Sequence, residues 1–172
     1  MNNIIMNTLF EKVSYEQFKK DFKNTTDERL YPSLKEMYNS ILLPRRATKG
    51  SAGYDFYSPH YIRLDPGQDI TIPTGIRCKM NPELVLIVCP RSGLGFKYYE
   101  RLANTIGIID SDYYYSDNEG HIMIKIRNDS TDSVMEIEQG KGLAQGIFLP
   151  YFITEDDSAK DKRNGGFGST GK

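Results

Sequence analysis

From Ile41 onward the sequence consists of short apolar segments separated by turn signals, and this regularity restricts the fold more than any other feature. The segments are SAGYDFYS, QDITIP, GIRCKM, LVLIVCP, HIMIKIRN, SVMEIE and LAQGIFLPY. In HIMIKIRN, Ile122, Ile124 and Ile126 alternate with other side chains, which is the period of two expected for a strand with one buried face. Because no long helical pattern follows residue 40, we predict an all-β fold, a sandwich or jelly-roll barrel.

The first 40 residues lack this strand-and-turn pattern, and they predict a short helical appendage. Ser14 and Gln17 have the spacing of a capping box, which marks the beginning of a helix. Three aromatic residues then follow on one helical stripe, namely Tyr15, Phe18 and Phe22. We therefore predict an appendage at 1–40 that packs on the domain or on a neighbouring chain, and a strand-rich core at 41–153.

The segment 154–172 loses apolar character, and we expect it to leave the core as a flexible arm. It ends in GGFGSTGK, which satisfies most of a phosphate-binding P-loop pattern. A P-loop also needs a hydroxyl residue after its lysine and a helix behind it. Since Lys172 is the last residue of the sequence, we expect a different phosphate-binding device here.

The charge balance, the amino terminus and the histidine spacing each argue against some kinds of binding partner or location. With 22 basic and 23 acidic residues the net charge is -1, so we expect no nucleic acid and no membrane as a general partner. The amino terminus lacks a basic segment followed by an apolar one, which favours a cytoplasmic protein. His60 and His121 lack the spacing of zinc ligands.

Four motifs are each only weak evidence of function when taken alone. For Asp55 in SAGYDF the default explanation is a solvated edge carboxylate, and the PRSGLG turn could form an anion-binding nest, although most Ser-Gly turns bind nothing. NTIGIIDSDYYYSDNEG reads as a hairpin, in which Asp110 and Asp112 would share a face. GLAQGIF is an apolar strand interrupted by Gln145.

In their order and spacing, these motifs and the terminal GGFGSTG resemble all five motifs of the homotrimeric deoxyuridine triphosphatases (dUTPases). The resemblance covers about residues 41–171, and the appendage and GLAQGIFLPY look like bacterial or phage members. It implies a jelly roll, a homotrimer whose active sites draw on all three chains, and hydrolysis of dUTP to dUMP and pyrophosphate. It also implies limitation of uracil in DNA, supply of dUMP for thymidylate synthesis and, for a phage protein, a regulatory protein partner.

By this resemblance the catalytic chemistry belongs to Asp110, the family's water-activating aspartate. Phosphoryl transfer of this kind needs positioning and charge neutralisation more than covalent chemistry. Mg²⁺ would bridge the phosphate oxygens, and Asp55 would hold its coordinated water molecules. Arg91, Ser92 and Gly93 match the turn that meets the phosphates, although a structural salt bridge is the alternative for Arg91.

The resemblance assigns further residues to substrate binding. Gln145 and Arg163 match phosphate-side groups, whereas Asn104, with the backbone at Gly107 and Ile109, would select uracil. Tyr113 would lie under the deoxyribose and leave no room for a 2′-hydroxyl. Two alternatives stay open: Tyr114 or Tyr115 takes this role, or Tyr113 is an aromatic residue of the core. The tail would cross to a neighbouring chain and close over the nucleotide through Phe167, Gly168, Ser169 and Thr170.

Two departures from the family pattern stand out. An acidic residue and an arginine usually precede Leu-Ala-Gln, but this sequence has Lys141 and Gly142, so their support must come from other groups, Lys141 itself among them. The loop 114–119 is longer than the common form, either as an idle excursion or as a partner-binding element.

Three other functions remain open at this stage. A dCTP deaminase or bifunctional enzyme shares this fold but needs a glutamate base, and Glu119 is the one glutamate of the 102–121 stretch. A phage-type regulatory binding module is the second, and a capsid-like structural jelly roll is the third.

Overall fold

The computed structural model describes residues 8–25 and 33–161, together with Arg163 and Gly165. Its three α-helices are α1 (Tyr15–Thr25), α2 (Leu34–Ser40) and α3 (Ser92–Tyr98), and a 3-10 helix covers Ser111–Tyr115. The strands are β1 (Leu9–Lys12), β2 (Arg45–Arg46), β3 (Tyr54–Tyr57), β4 (Ile62–Leu64), β5 (Asp69–Pro73), β6 (Ile76–Lys79), β7 (Leu84–Cys89), β8 (Arg101–Leu102), β9 (Gly107–Ile109), β10 (Met123–Arg127), β11 (Met135–Ile137) and β12 (Gly142–Pro150).

The strands form small antiparallel sheets around one apolar core, as the turn-separated pattern predicts. A five-stranded sheet has the order β2-β3-β12-β7-β9, and a three-stranded sheet has the order β5-β10-β8. Two further pairs join β1 to β6 and β11 to β4. Each of the seven predicted segments contains a strand, whereas RSGLG, predicted as a turn, begins helix α3.

The five-stranded sheet fixes the relative positions of the motif residues. Asp55 on β3 is the register partner of Gln145 on β12, which in turn pairs with Cys89 on β7. On the far side of β7, Ile109 of β9 pairs with Leu86. Three of the motifs are therefore aligned across one sheet.

The amino-terminal segment is integrated into the core. Helix α1 begins as predicted, because the Gln17 backbone N–H donates to the Ser14 hydroxyl at 3.1 Å, and Phe18 and Phe22 are fully buried. Strand β1 was not predicted; it pairs with β6. Side chains from both sides of residue 41 thus share one core.

The 114–119 loop, which begins in the last turn of the 3-10 helix, holds this amino-terminal segment in place. Both carboxylate oxygens of Glu119 accept from Ser14, from its backbone N–H at 2.7 Å and from its hydroxyl at 2.6 Å. The Tyr114 hydroxyl donates to Glu11 at 2.5 Å. Within the described residues the loop is therefore not idle, since it caps α1 and anchors β1.

One buried carboxyl makes stability depend on pH. Glu100, between α3 and β8, is 4% exposed, and its two oxygens have no hydrogen-bond partner among the described residues. Burial raises the pKa of Glu100 to about 7, against ~4.3 for an unfolded glutamate. The folded state thus binds this proton more tightly, and stability present below ~4.3 is lost as the pH rises through about 7.

We predict that Glu100→Gln raises the melting temperature by on the order of 4 °C at pH 8, because it removes a charge that must be buried unpaired. Little change is expected at pH 4, where the native side chain is already protonated. Thermal unfolding at the two pH values checks this, with the exposed Glu138→Gln as control. An equal shift at both pH values, or a loss of stability at pH 8, would contradict the prediction.

Candidate active site

A cavity of about 260 Å³ lies between the β9 segment and β10, beside the 3-10 helix. Six of the residues predicted from the sequence to form the site line it: Asn104, Gly107, Ile109, Asp110, Tyr113 and Arg163. Strand β9 is the edge strand of the five-stranded sheet, so its ladder runs to β7 on one side only. Gly107 lets β9 approach β7 closely, since a Cβ there would lie 3.2 Å from the Val88 Cβ.

Asp110 follows the last residue of β9 and stands at the beginning of the 3-10 helix, with its side chain 48% exposed. Its carboxylate is paired with the guanidinium of Arg163, whose Nε donates to Asp112 Oδ1 at 2.9 Å. The predicted hairpin is wrong here, because β9 pairs with β7 and the chain then turns into a 3-10 helix. Asp110 and Asp112 nevertheless meet one cation.

Tyr113 is the one of the three consecutive tyrosines that lines the cavity. It is 5% exposed, and its hydroxyl donates to the His121 carbonyl at 2.7 Å. Burial raises the pKa of the Tyr113 hydroxyl. Tyr114 instead reaches Glu11, and Tyr115 is exposed. The ring of Tyr113 is thus both a core aromatic and a fixed wall of the cavity.

A second cluster of predicted residues forms where β3, β12 and the end of β7 meet. Arg91 Nε donates to Asp55 Oδ1 at 3.0 Å, and Arg91 Nη1 donates to the Gly142 carbonyl at 3.2 Å. The salt bridge considered for Arg91 is therefore present. Gln145 Nε2 donates to the Pro90 carbonyl at 2.9 Å, which attaches the amide to the same turn.

Ser92 and Gly93 extend this cluster into solvent. Both are exposed in the first turn of α3, directly after Arg91. No atom lies within 4 Å of the position that a Cβ on Gly93 would take, so the surface there is open. Lys141, considered as a substitute for the missing acidic-arginine pair, is exposed, and the cation beside Gly142 is Arg91.

The two clusters lie at opposite ends of β7. Strands β7 and β9 are antiparallel, and Ile109 pairs with Leu86, so Asp110 lies near Val85 at the beginning of β7. Arg91 follows the other end of β7, three residues after Val88. Arg91 lies six positions after Val85 in the sequence, which at ~3.3 Å per residue is about 20 Å. One chain therefore brings Asp110 together with the cavity but not with Asp55, Arg91 or Gln145.

One residue at the cavity escaped the sequence reasoning. Lys125 lines it and also pairs with Asp69 at 3.0 Å; its outward place in the alternation of HIMIKIRN was the available signal. Asp112, expected to share a face with Asp110, shares Arg163 with it. The predicted residues Phe167, Gly168, Ser169 and Thr170 lie outside the described part of the chain.

None of the helices in the described ranges is long and apolar enough to cross a membrane. The same ranges contain no group of three or more His, Cys, Asp or Glu side chains placed to hold a metal ion.

Comparison with known proteins agrees with this geometry. The dUTPase family model matches residues 39–171. The chain is 41% identical over 134 residues to the deoxyuridine 5'-triphosphate nucleotidohydrolase of Lactococcus lactis, a match that covers 76% of this chain and 89% of the relative. A crystal structure of the dUTPase from Streptococcus mutans superposes with a TM-score of 0.63 at 31% identity, covering 85% of this chain and 98% of the other.

A phage protein shares the fold at lower identity. The dUTPase of Staphylococcus aureus phage phi11, whose structure shows the coordination of a structural Mg(II) ion, aligns with a TM-score of 0.57 and 23% identity over 70% of this chain and 91% of its own. These similarities confirm the jelly-roll fold and the enzyme class predicted from the motifs. The chain is a member of the dUTPase family, the deoxyuridine triphosphate hydrolases.

Proposed function

We propose that this dUTP-hydrolysing chain releases dUMP and pyrophosphate through attack on the α-phosphorus by a water molecule that Asp110 holds. The observation that carries the proposal is the position of Asp110, half exposed at the edge of a cavity whose wall contains Asn104, Gly107, Ile109 and Tyr113. A carboxylate there can orient the water and accept its proton as the new P–O bond forms.

Base selection is assigned to the open side of β9. Uracil presents two carbonyl acceptors and one N–H donor, a pattern that the backbone groups of an edge strand can match. Asn104 adds a side-chain amide to the lining of the same cavity. Cytosine places an amino group where one acceptor is needed, and the unpaired donors that result can cost on the order of 10⁴-fold in specificity.

Sugar selection is assigned to Tyr113. Its hydroxyl is held by the His121 carbonyl and by Asn118 Nδ2, at 2.7 and 2.8 Å, so the ring cannot move aside. A fixed ring under the deoxyribose leaves no space for a 2′-hydroxyl. This rigidity supports discrimination against UTP.

Phosphate binding is assigned to the second cluster. Arg91 carries a charged fork, while Ser92 and Gly93 offer exposed donors beside it. Gln145 supports the turn through the Pro90 carbonyl. Charge-assisted hydrogen bonds of this type are suited to phosphate oxygens, on which negative charge accumulates during the reaction.

The residues present also fit a hydrated Mg²⁺. Asp55 Oδ1 is bonded to Arg91 at 3.0 Å, but Oδ2 lies 3.5 Å from the guanidinium and keeps acceptor capacity for a metal-bound water. When bound, Mg²⁺ would neutralise phosphate charge. Asp55 would hold its water shell rather than the ion itself.

The separation of the two clusters supports a homotrimer with shared sites. Asp110 and the phosphate donors must act on the same α-phosphate, within hydrogen-bond reach of its oxygens and the attacking water. About 20 Å of strand between them cannot be bridged in one chain. Each complete site would therefore combine the Asp110 cavity of one chain with the Arg91 cluster of another.

The carboxyl-terminal arm would complete the site from a third chain. In the single chain, Arg163 is bound to its own Asp110 and Asp112. An incoming triphosphate competes for this guanidinium, and the arm that follows would place Phe167 over uracil with Gly168, Ser169 and Thr170 near the phosphates. The flexibility of this arm and its crossing to a neighbour remain predictions.

This activity would limit incorporation of uracil into DNA and supply dUMP for thymidylate synthesis, in the cytoplasm. A dCTP deaminase is less well supported, because both oxygens of Glu119 are bonded to Ser14. A general base at that position would have to release the cap of α1. A regulatory partner stays a prediction.

The first test is Asp110→Asn. We expect pyrophosphate release from dUTP to fall by about 10³-fold, because the amide cannot accept the proton of water, while binding of an imido-bridged dUTP analogue persists. The exposed Asp117→Asn serves as the control.

The wild-type protein should prefer dUTP over dCTP, dTTP and UTP and should release no ammonia from dCTP. Wild-type rates in Asp110→Asn, or stoichiometric ammonia, would refute the assignment.

The second test removes residues 162–172. This deletion takes Arg163 and the glycine-rich motif, and the buried core side chains of the described residues all precede it, so we expect a folded trimer. Loss of the closing arm should lower kcat/KM by at least about a hundredfold. Sedimentation and steady-state kinetics measure the two expectations, and unchanged kinetics would show that the arm plays no part in the site.

A further inference from the structure

The space at Gly142 is occupied by the side chain of Arg91. A Cβ built on Gly142 would lie 2.6 Å from Nη1, 2.7 Å from Cζ and 2.9 Å from Nε of that guanidinium. The guanidinium therefore rests against the bare backbone at the beginning of β12, where any side chain would displace it.

In this position only some of the N–H groups of Arg91 are hydrogen-bonded. Nε is bonded to Asp55 at 3.0 Å and Nη1 to the Gly142 carbonyl at 3.2 Å, while Nη2 makes only a long contact of 3.5 Å with Asp55. The side chain of Arg91 is 39% exposed, against 17% for Asp55. Two anchored donors fix the plane of the fork, and the remaining N–H groups stay available to an anion.

We propose that Gly142 is a positioning residue for Arg91. Because Gly142 has no side chain, Asp55 can hold the Arg91 guanidinium, before nucleotide binds, in the position from which it donates hydrogen bonds to phosphate. The inference deepens the proposed function and rests on the phosphate role of Arg91. At position 142, where the family pattern has an arginine, the glycine leaves the space that the Arg91 guanidinium occupies.

Gly142→Ala tests the inference with a single methyl group. The φ angle at Gly142 is outside the left-handed region and the colliding atoms belong to the end of a flexible side chain, so the backbone can accept alanine. We expect a melting temperature within about 2 °C of wild type. The guanidinium should leave Asp55, and binding of an imido-bridged dUTP analogue should weaken about tenfold, as for one lost charge-assisted hydrogen bond.

The matched control is Gly50→Ala, since no atom lies within 4 Å of a Cβ there. A double-mutant cycle with Arg91→Lys separates positioning from mere structure. If Gly142 acts through Arg91, then Gly142→Ala should add nothing to the loss already caused by Arg91→Lys. Calorimetric titration with the analogue measures all four dissociation constants without turnover.

A second readout needs no substrate. The Arg91 Nε–Hε resonance, identified by its loss in Arg91→Lys, should be protected from exchange in the ligand-free wild-type protein and exposed in Gly142→Ala. Unchanged affinity and an unchanged resonance in Gly142→Ala would overturn the inference, as would unfolding of that variant or full additivity in the cycle. If Arg91→Lys binds the analogue like wild type, the phosphate role of Arg91 fails as well; if it binds weakly and Gly142→Ala does not, only the inference fails.

Discussion

Strand β7 is the constraint on which the site depends. Leu84, Leu86 and Val88 point into the core from alternate positions, and β12 and β9 pair with its two edges. Gly146 on β12 permits this close packing, because a Cβ there would lie 2.8 Å from Leu86 and 2.9 Å from Phe56. The length of β7 then separates the Asp110 cavity from the Arg91 cluster. This strand thus separates the two clusters within one chain, which is the basis of the proposed site between chains.

Both halves contain an aspartate paired with an arginine of the same chain. Asp55 is paired with Arg91 and Asp110 with Arg163, so each carboxylate that the proposed reaction needs is neutralised by an arginine. The two pairs differ in their surroundings. Arg91 is anchored to β12 by its hydrogen bond to the Gly142 carbonyl, whereas Arg163 itself lies in neither a helix nor a strand. We expect the first pair to persist when nucleotide binds and the second to open.

Much of this was accessible from the sequence. The alternation in HIMIKIRN predicted β10, and the spacing of Ser14 and Gln17 predicted the beginning of α1. The motifs named six residues that line one cavity, because each motif combines a residue type with a fixed local backbone. Local pattern therefore predicted most of the elements, and the family resemblance named residues that the structure brings together in the cavity and in the Arg91 cluster.

The parts that escaped prediction depend on contacts distant in sequence. Strand β1 forms because β6 offers it a free edge, and Glu119 caps α1 from 105 residues away. The partnership of Gly142 with Arg91 arises from sheet register, which brings residues 51 positions apart into contact. No local period encodes any of these three. The hairpin expected at Asp110 was wrong for the same reason, since β7 offered β9 a better partner.

The central claim, that a complete site joins the Asp110 cavity of one chain to the Arg91 cluster of another, can be tested directly by mixing two inactive variants. Asp110→Asn chains retain an intact Arg91 cluster, and Arg91→Ala chains retain an intact Asp110 cavity. If sites form between chains, co-expressed mixed trimers should recover about a quarter of wild-type activity, from random pairing of the two halves. A mixture no more active than either variant alone would contradict the account.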